Sequence, residues 1–297
     1  MRLFILCKST KRPVGSVSPS GKSKKIAEGK WVSVSSRDKL PARVKSAVTV
    51  PPAWVNVQYF TDPGAKLLVK GEDGKGRTQY LYNPKHVTEQ AKGKFSRINA
   101  LNKRYDELVS ENTRNAKKGK PEAECLSLIL DTGIRPGSEK ETDATVDAFG
   151  ATTLEGRHVT KKGGKVTLVF VGKKGVNLSI PVTAPDVSKM LLRRKAEAGD
   201  TGRIFNISGD RLLLYTKSLG KGAGFQSKDF RTYMGTQTAL AAMSKIKAPT
   251  SMAEYKRSVL RVAEAVGEKL GNTRKVALGS YINPAIFEKW RRKIEKS

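Results

Sequence analysis

At 297 residues, 38% of them apolar, the chain is long enough for two domains and can bury a real core. Its formal net charge of +30 exceeds what solubility requires and points to a polyanion, nucleic acid ahead of an anionic membrane surface. Two cysteines, Cys7 and Cys125, exclude a disulfide framework and imply a reducing interior, and no apolar run is long enough to span a membrane.

His86 and His158 form no metal-ligand spacing, and there is no phosphate-cradling glycine loop. The sequence therefore predicts neither a metal nor a nucleotide cofactor. Residues 1–47 carry 12 Lys and Arg against one Asp and one Glu. Short strands are expected at Leu3–Cys7 and Trp31–Val34, with a mobile basic loop at Arg12–Lys25. From Val48 the texture changes to VPPAWVNVQYF, a proline turn and a β-rich run. Leu67–Lys70 and Thr78–Tyr82 read as strands joined by the turn GEDGKGR. Alternation puts Tyr80 and Tyr82 on one face and Gln79 on the other, with Lys75 and Arg77 in the turn before them. An amide, two phenols and basic residues on a ribbon suit contact with a DNA groove and its phosphates. This gives a β-rich, DNA-binding section over 1–88.

From Glu89 to the C-terminus the pattern is mainly helical. Phe95, Ile98, Leu101, Tyr105 and Leu108 recur at helical spacing, and NAKKGKPEAE reads as a loop. Cys125, Leu128, Ile129 and Thr132 then form a helix face that Gly133 ends, with Arg135 directly after it. Burying an arginine at such a tip is costly unless an anion meets it. Strands are expected at Val166–Val171 and Asn177–Val182, after a shorter one around His158, with Lys173 at the hairpin tip. His158 is expected to be a structural hydrogen-bonding residue. Asp186–Ala198 and Leu212–Leu219 read as helices. Lys228 and Arg231 fall near the start of another, whose inward positions continue at Met234, Thr238, Ala241 and Ala242 and whose N-terminus suits an anion. A helical run from Ser258 stops at Gly271, followed by Asn272, a brief helix Arg274–Ser280, and Tyr281. Ala285–Ile294 reads as a basic amphipathic helix with Phe287 and Trp290 on one face.

Taken together, Gly-Ile-Arg135, FVGK at Lys173, KDFRT at Arg231, LGNT and SY at Tyr281 resemble the type IB DNA topoisomerases, nearest their compact poxviral and bacterial branch. PPAW, GKGRTQYLY and TTLEGRHV also resemble that branch, so the likeness runs from about Val48 to the C-terminus. It implies an α+β chain: a small antiparallel β-rich domain over 1–88, then a mostly helical catalytic domain over 89–297 with a three-stranded sheet, of the tyrosine recombinase and topoisomerase IB kind. It also implies that Tyr281 attacks a DNA phosphodiester to leave a 3′-phosphotyrosyl link, with Arg135 and Arg231 on the non-bridging oxygens. Lys173 would protonate the departing 5′-oxygen, and Lys228 would share that work. Asn272 stands where poxviral members have histidine and would donate to a phosphate oxygen. The expected partner is double-stranded DNA, clamped by a monomer without ATP or metal. An intracellular location is expected, in bacterium or phage host or with a virion, because Leu3–Cys7 is too short for a secretory core. Two other readings compete: a tyrosine recombinase, which shares the chemistry, and a non-enzymatic basic DNA-binding or packaging protein.

Overall fold

The structure, a computed structural model, describes residues 29–139, 147–173 and 175–295. The chain divides between Glu89 and Gln90 into two compact units.

In the first unit, β1 (Trp31–Ser33), β2 (Val55–Phe60), β3 (Leu67–Glu72) and β4 (Thr78–Tyr82) form an antiparallel sheet in that order. A 3-10 turn, Arg37–Lys39, and α1 (Ala42–Ala47) lie between β1 and β2. Leu40 and Val44, four residues apart, bury themselves with Val50, Val57, Leu68 and Val69. The change of texture at Val48 is thus no structural boundary, because the apolar residues just before it complete this core. The expected strand Leu3–Cys7 and loop Arg12–Lys25 lie outside the described residues.

Helix α2 (Pro84–Lys103) begins five residues before the expected Glu89, with proline in the first turn, where its missing N–H costs nothing. The apolar run expected to continue through Leu108 breaks at Arg104 (φ −119°, ψ 9°) and resumes as α3 (Tyr105–Lys117). Most of NAKKGKPEAE is helical as well: α4 (Pro121–Thr132) starts at its proline, leaving only 118–120 as a loop.

Helix α4 is the centre of the second unit. Ala123, Cys125, Leu126, Leu128 and Ile129 are each 0% exposed. Helices α3, α5 (Pro185–Ala198), α6 (Gly209–Leu219) and α7 (Ser227–Ser244) pack around it. Beside them β5 (Val159–Lys162), β6 (Lys165–Gly172) and β7 (Val176–Pro181) form an antiparallel sheet, with β6 burying alternate residues Val166, Leu168 and Phe170. His158 sits in a 3-10 turn before β5 rather than on a strand, and its Nδ1 accepts a hydrogen bond from the Glu155 N–H at 3.0 Å, a structural role.

A second apolar cluster joins α7 to α8 (Met252–Leu270) and α9 (Arg274–Ser280). Helix α8 starts well before Ser258 because the Ser251 side chain caps it, accepting from the Glu254 N–H. The inward face of α7 follows expectation at Met234 and Ala242, which pack against this cluster, but Ala241 is exposed, and Gly235, Thr236 and Ala239 are the buried positions. Thr236 can be buried because its hydroxyl donates to the Tyr281 carbonyl at 3.1 Å. The C-terminal segment is a 3-10 turn, Pro284–Phe287, followed by α10 (Glu288–Glu295), with Phe287 and Trp290 buried together.

Candidate active site

Two helix C-termini and one helix N-terminus build the site. Helix α4 ends at Gly133, and the chain runs through buried Ile134 to Arg135. Helix α8 ends at Gly271, whose φ of +58° places it in the left-handed region that a side chain would strain, and the Asn272 N–H closes back on the Gly267 carbonyl at 2.8 Å. Arg231, on the first turns of α7 and only 3% exposed, reaches both ends: Nη1 donates to the Gly133 carbonyl and Nη2 to the Leu270 carbonyl. Carbonyls at helix C-termini carry partial negative charge, which offsets part of the cost of burying this cation with no carboxylate beside it. A guanidinium has five N–H donors, so donors remain beyond these two carbonyls. Its Nε is buried and has no hydrogen-bond partner among the described residues. Burial pushes the Arg231 pKa down, and Arg135 adds to that, while Tyr281 acts in the opposite sense.

Tyr281 follows α9 directly. Its ring centroid lies 4.9 Å from the Arg231 guanidinium carbon. Helix α7 approaches so closely that a Cβ on Gly235 would stand 2.8 Å from the Tyr281 Cβ and 2.9 Å from its carbonyl oxygen, so only glycine fits there. Burial raises the phenol pKa, but the charges of Arg231 and Arg135 and their hydrogen bonds outweigh it, and the net pKa falls below the ordinary tyrosine value. A half-buried phenol that still ionises more readily than usual is prepared for nucleophilic attack.

Arg135 is steered by Asn272. Its Nη2 donates to the Asn272 side-chain oxygen at 2.8 Å, and the Asn272 Nδ2 donates to the Leu270 carbonyl at 3.1 Å. Because arginine only donates, the amide oxygen must face it. The sequence suggested that Asn272 donates to substrate; here its oxygen orients Arg135, and one Nδ2 proton remains. A neutral imidazole could also accept from Arg135, but an imidazolium could not. Asn272→His is expected to keep cleavage within about tenfold at pH 8, one hydrogen bond's worth. Activity should then fall as the pH drops below about 6.5. Measured pH–rate profiles check this, and equal loss at every pH would contradict the accepting role.

An open cleft of about 810 Å³ brings Arg135, Lys173, Lys228, Arg231 and Tyr281 together. Lys173 sits on the turn between β6 and β7, and Lys228 on the first turn of α7, both exposed. The free anion site expected at the N-terminus of α7 is already filled: the Asp229 carboxylate accepts from the Gln226 N–H at 3.0 Å and from Arg97 at 3.1 and 3.2 Å. Three contributors escape sequence reasoning: Arg97, Thr236 and Lys94, whose Nζ donates to the Ser280 carbonyl at 2.9 Å. Each acts through a distant partner, and one lysine among 57 basic residues gives no local signal.

The residues expected to read DNA lie in the first unit. Tyr80 and Tyr82 are each 48% exposed on β4. Arg77 and Gln79 both donate to the Asp73 carboxylate, which also accepts from the Lys75 and Arg77 N–H groups. The Arg77 hydrogen bond leads in holding that carboxyl at about 2. Arg77 and Gln79 therefore shape the turn, and the Lys75 side chain stays exposed beside them.

A family model described as the eukaryotic DNA topoisomerase I catalytic core matches residues 83–297. The chain is similar to the DNA topoisomerase 1B of Acanthamoeba polyphaga mimivirus, 26% identical over 253 residues, covering 78% of this chain and 75% of that protein. It is similar to the DNA topoisomerase 1B of Vaccinia virus (strain Copenhagen), 23% identical over 257 residues, covering 84% and 79%. The DNA topoisomerase 1 of Rabbit fibroma virus (strain Kasza) is 22% identical over 241 residues, covering 78% and 74%.

Proposed function

Because the chain belongs to the type IB DNA topoisomerases, in the branch of the poxviral and mimiviral enzymes, we propose that its cleft cuts and rejoins one DNA strand through Tyr281. Relaxation of supercoiled DNA is the activity of that family, and membership sets aside the recombinase and packaging readings. The observation that carries the residue assignment is Tyr281 held against Arg231, its phenol acidified by two guanidinium groups.

In the forward step the Tyr281 oxygen attacks the phosphorus, and a bond to the 5′-oxygen breaks. Arg135 and Arg231 neutralise the equatorial oxygens, a role that suits a charged, bidentate fork. Asn272 keeps Arg135 aimed, and the two helix ends keep Arg231 aimed. The leaving alkoxide is a poor leaving group, and Lys173 gives it a proton, with Lys228 as a second donor in the same cleft. The product is a 3′-phosphotyrosine and a free 5′-hydroxyl. One strand can then swivel about the other before the hydroxyl attacks back. The phosphotyrosine conserves the bond's free energy, so religation needs no ATP. Every reacting group comes from one chain, so we propose that a monomer acts on duplex DNA; relaxation rising with the square of protein concentration would count against it.

The test is relaxation of positively and negatively supercoiled plasmid in EDTA without ATP, with denaturant trapping of the cut strand. Protein is expected on the 3′ end of the break. Protein on the 5′ end, or no relaxation, would sink the scheme. Lys173→Ala is expected to slow cleavage by about 10²- to 10⁴-fold on ordinary DNA. Sulfur in place of the bridging 5′-oxygen leaves as a thiolate without a proton, since a thiol's pKa is only about 8.5. On such DNA the deficit should nearly vanish. An equal deficit on both substrates would show that Lys173 is not the acid.

A further inference from the structure

Helix α9 has seven residues, and Ala277 is its only buried one. A short, exposed helix is by itself a weak platform for a nucleophile, so what fixes Tyr281 has to come from outside α9. The contacts that hold its end come from other elements: the close approach of Gly235 and the Thr236 bond to the Tyr281 carbonyl, the Arg231 guanidinium against its ring, buried Ile282 after it, and Lys94 on the Ser280 carbonyl before it. The last carbonyls of a helix have no partner within the helix, so a cation there both satisfies an orphan group and suits the negative end.

Lys94 is set up for this from a distance of 186 residues in sequence. It lies on α2 and lines the cleft with Tyr281, Lys228 and Asp229. Three residues further along α2, Arg97 grips Asp229, so α2 touches both the nucleophile's helix and the turn that carries Lys228 and Arg231.

We propose that Lys94 is a positioning residue for the nucleophile: its ammonium, bonded at 2.9 Å to the Ser280 carbonyl, fixes the end of α9 and holds a positive charge on the phenol's side of the cleft. This rests on Tyr281 being the nucleophile. The electrostatics agree with it. Burial lowers the Lys94 pKa, Tyr281 and Asp229 raise it, and Arg97 and Lys228 lower it further. The leading charges on the phenol are those of Arg231 and Arg135, and Lys94 in turn feels the phenol and Asp229. A lysine with a lowered pKa sheds its proton earlier than usual as the pH rises, so its help is greatest on the acid side.

The test is single-turnover formation of the covalent adduct on a short duplex at saturating protein, across pH, with DNA affinity and thermal melting measured alongside. Lys94→Met is expected to cleave about 100-fold more slowly, the cost of a nucleophile displaced by about 1 Å. Its acid limb should move to higher pH, with affinity and melting close to wild type. Lys94→Arg, which keeps a charged donor, should recover most of the rate. Wild-type rate and pH profile in Lys94→Met would overturn the proposal. So would an equal defect in Lys94→Arg, or a defect explained wholly by weaker DNA binding. Tyr281→Phe is run in parallel: if it still forms adduct, the nucleophile has been misassigned. If it forms none while Lys94→Met behaves as wild type, only the role of Lys94 fails.

Discussion

Tyr281→Phe is expected to form no covalent adduct and to lose at least about 10⁴-fold in relaxation, the scale on which removing a nucleophile acts. The ring and its contact with the Arg231 guanidinium survive the change, so folding and DNA affinity should stay near wild type. Three other tyrosines of the second unit ionise less readily than usual. Burial pushes the phenols of Tyr105 and Tyr233 up, and that of Tyr215 up to about 12. Tyr80 and Tyr82 are exposed on the sheet of the first unit. The wild-type pH profile gives a second reading of the same group. With Tyr281 in its proposed role, attacking as phenolate, the cleavage rate is expected to climb with pH and level off below about 10, where free tyrosine ionises. A rate that keeps rising through pH 10 would mean that the guanidinium groups do not activate the phenol, and adduct in Tyr281→Phe would mean that another residue attacks.

What the sequence discloses about this site is what sits at chain breaks. Gly133 and Gly271 are helix ends that a left-handed residue requires, and the residues just past them, Arg135 and Asn272, have to point somewhere other than a helix face. Arg274–Ser280 falls where its pattern places it, with Tyr281 next. The alternation in β6 likewise fixes which residues turn inward, and the hairpin tip holds Lys173. The contacts that assemble these pieces are silent in sequence, because both partners look ordinary alone. Arg97 and Asp229 are 132 residues apart, and Arg135 and Asn272 are 137 apart. The part of the α7 inner face that the pattern misses has the same origin. Apolar spacing favours Ala241 and passes over 235 and 236, where α7 meets the Tyr281 main chain, which selects a glycine at 235 and a hydroxyl at 236. The lysine-rich stretch before α4 reads as a loop because charge imitates disorder, while the proline that interrupts it is an ordinary first residue of a helix.

Arg231→Met separates catalysis from folding most sharply. Arg231 carries its charge 3% exposed, with no carboxylate bound to it among the described residues, held by the ends of α4 and α8 and against the Tyr281 ring. Substitution strands those two carbonyls, at about 1–3 kcal/mol each. Against that, it removes a buried cation whose desolvation costs several kcal/mol, and an apolar chain of similar length fills the space. The two terms nearly cancel, so the melting temperature should stay close to wild type. Catalysis has no such compensation. An arginine that neutralises a transferring phosphoryl group contributes about 10³- to 10⁵-fold, and Arg231 also supplies the leading charge that acidifies Tyr281. Single-turnover cleavage is therefore expected to fall by at least about 10³-fold in a protein that melts normally, with its acid limb moved to higher pH. If cleavage stays within tenfold of wild type, or if its loss follows a collapse in melting temperature, then Arg231 is a structural bolt between two helix ends, and the phosphate is held by other residues.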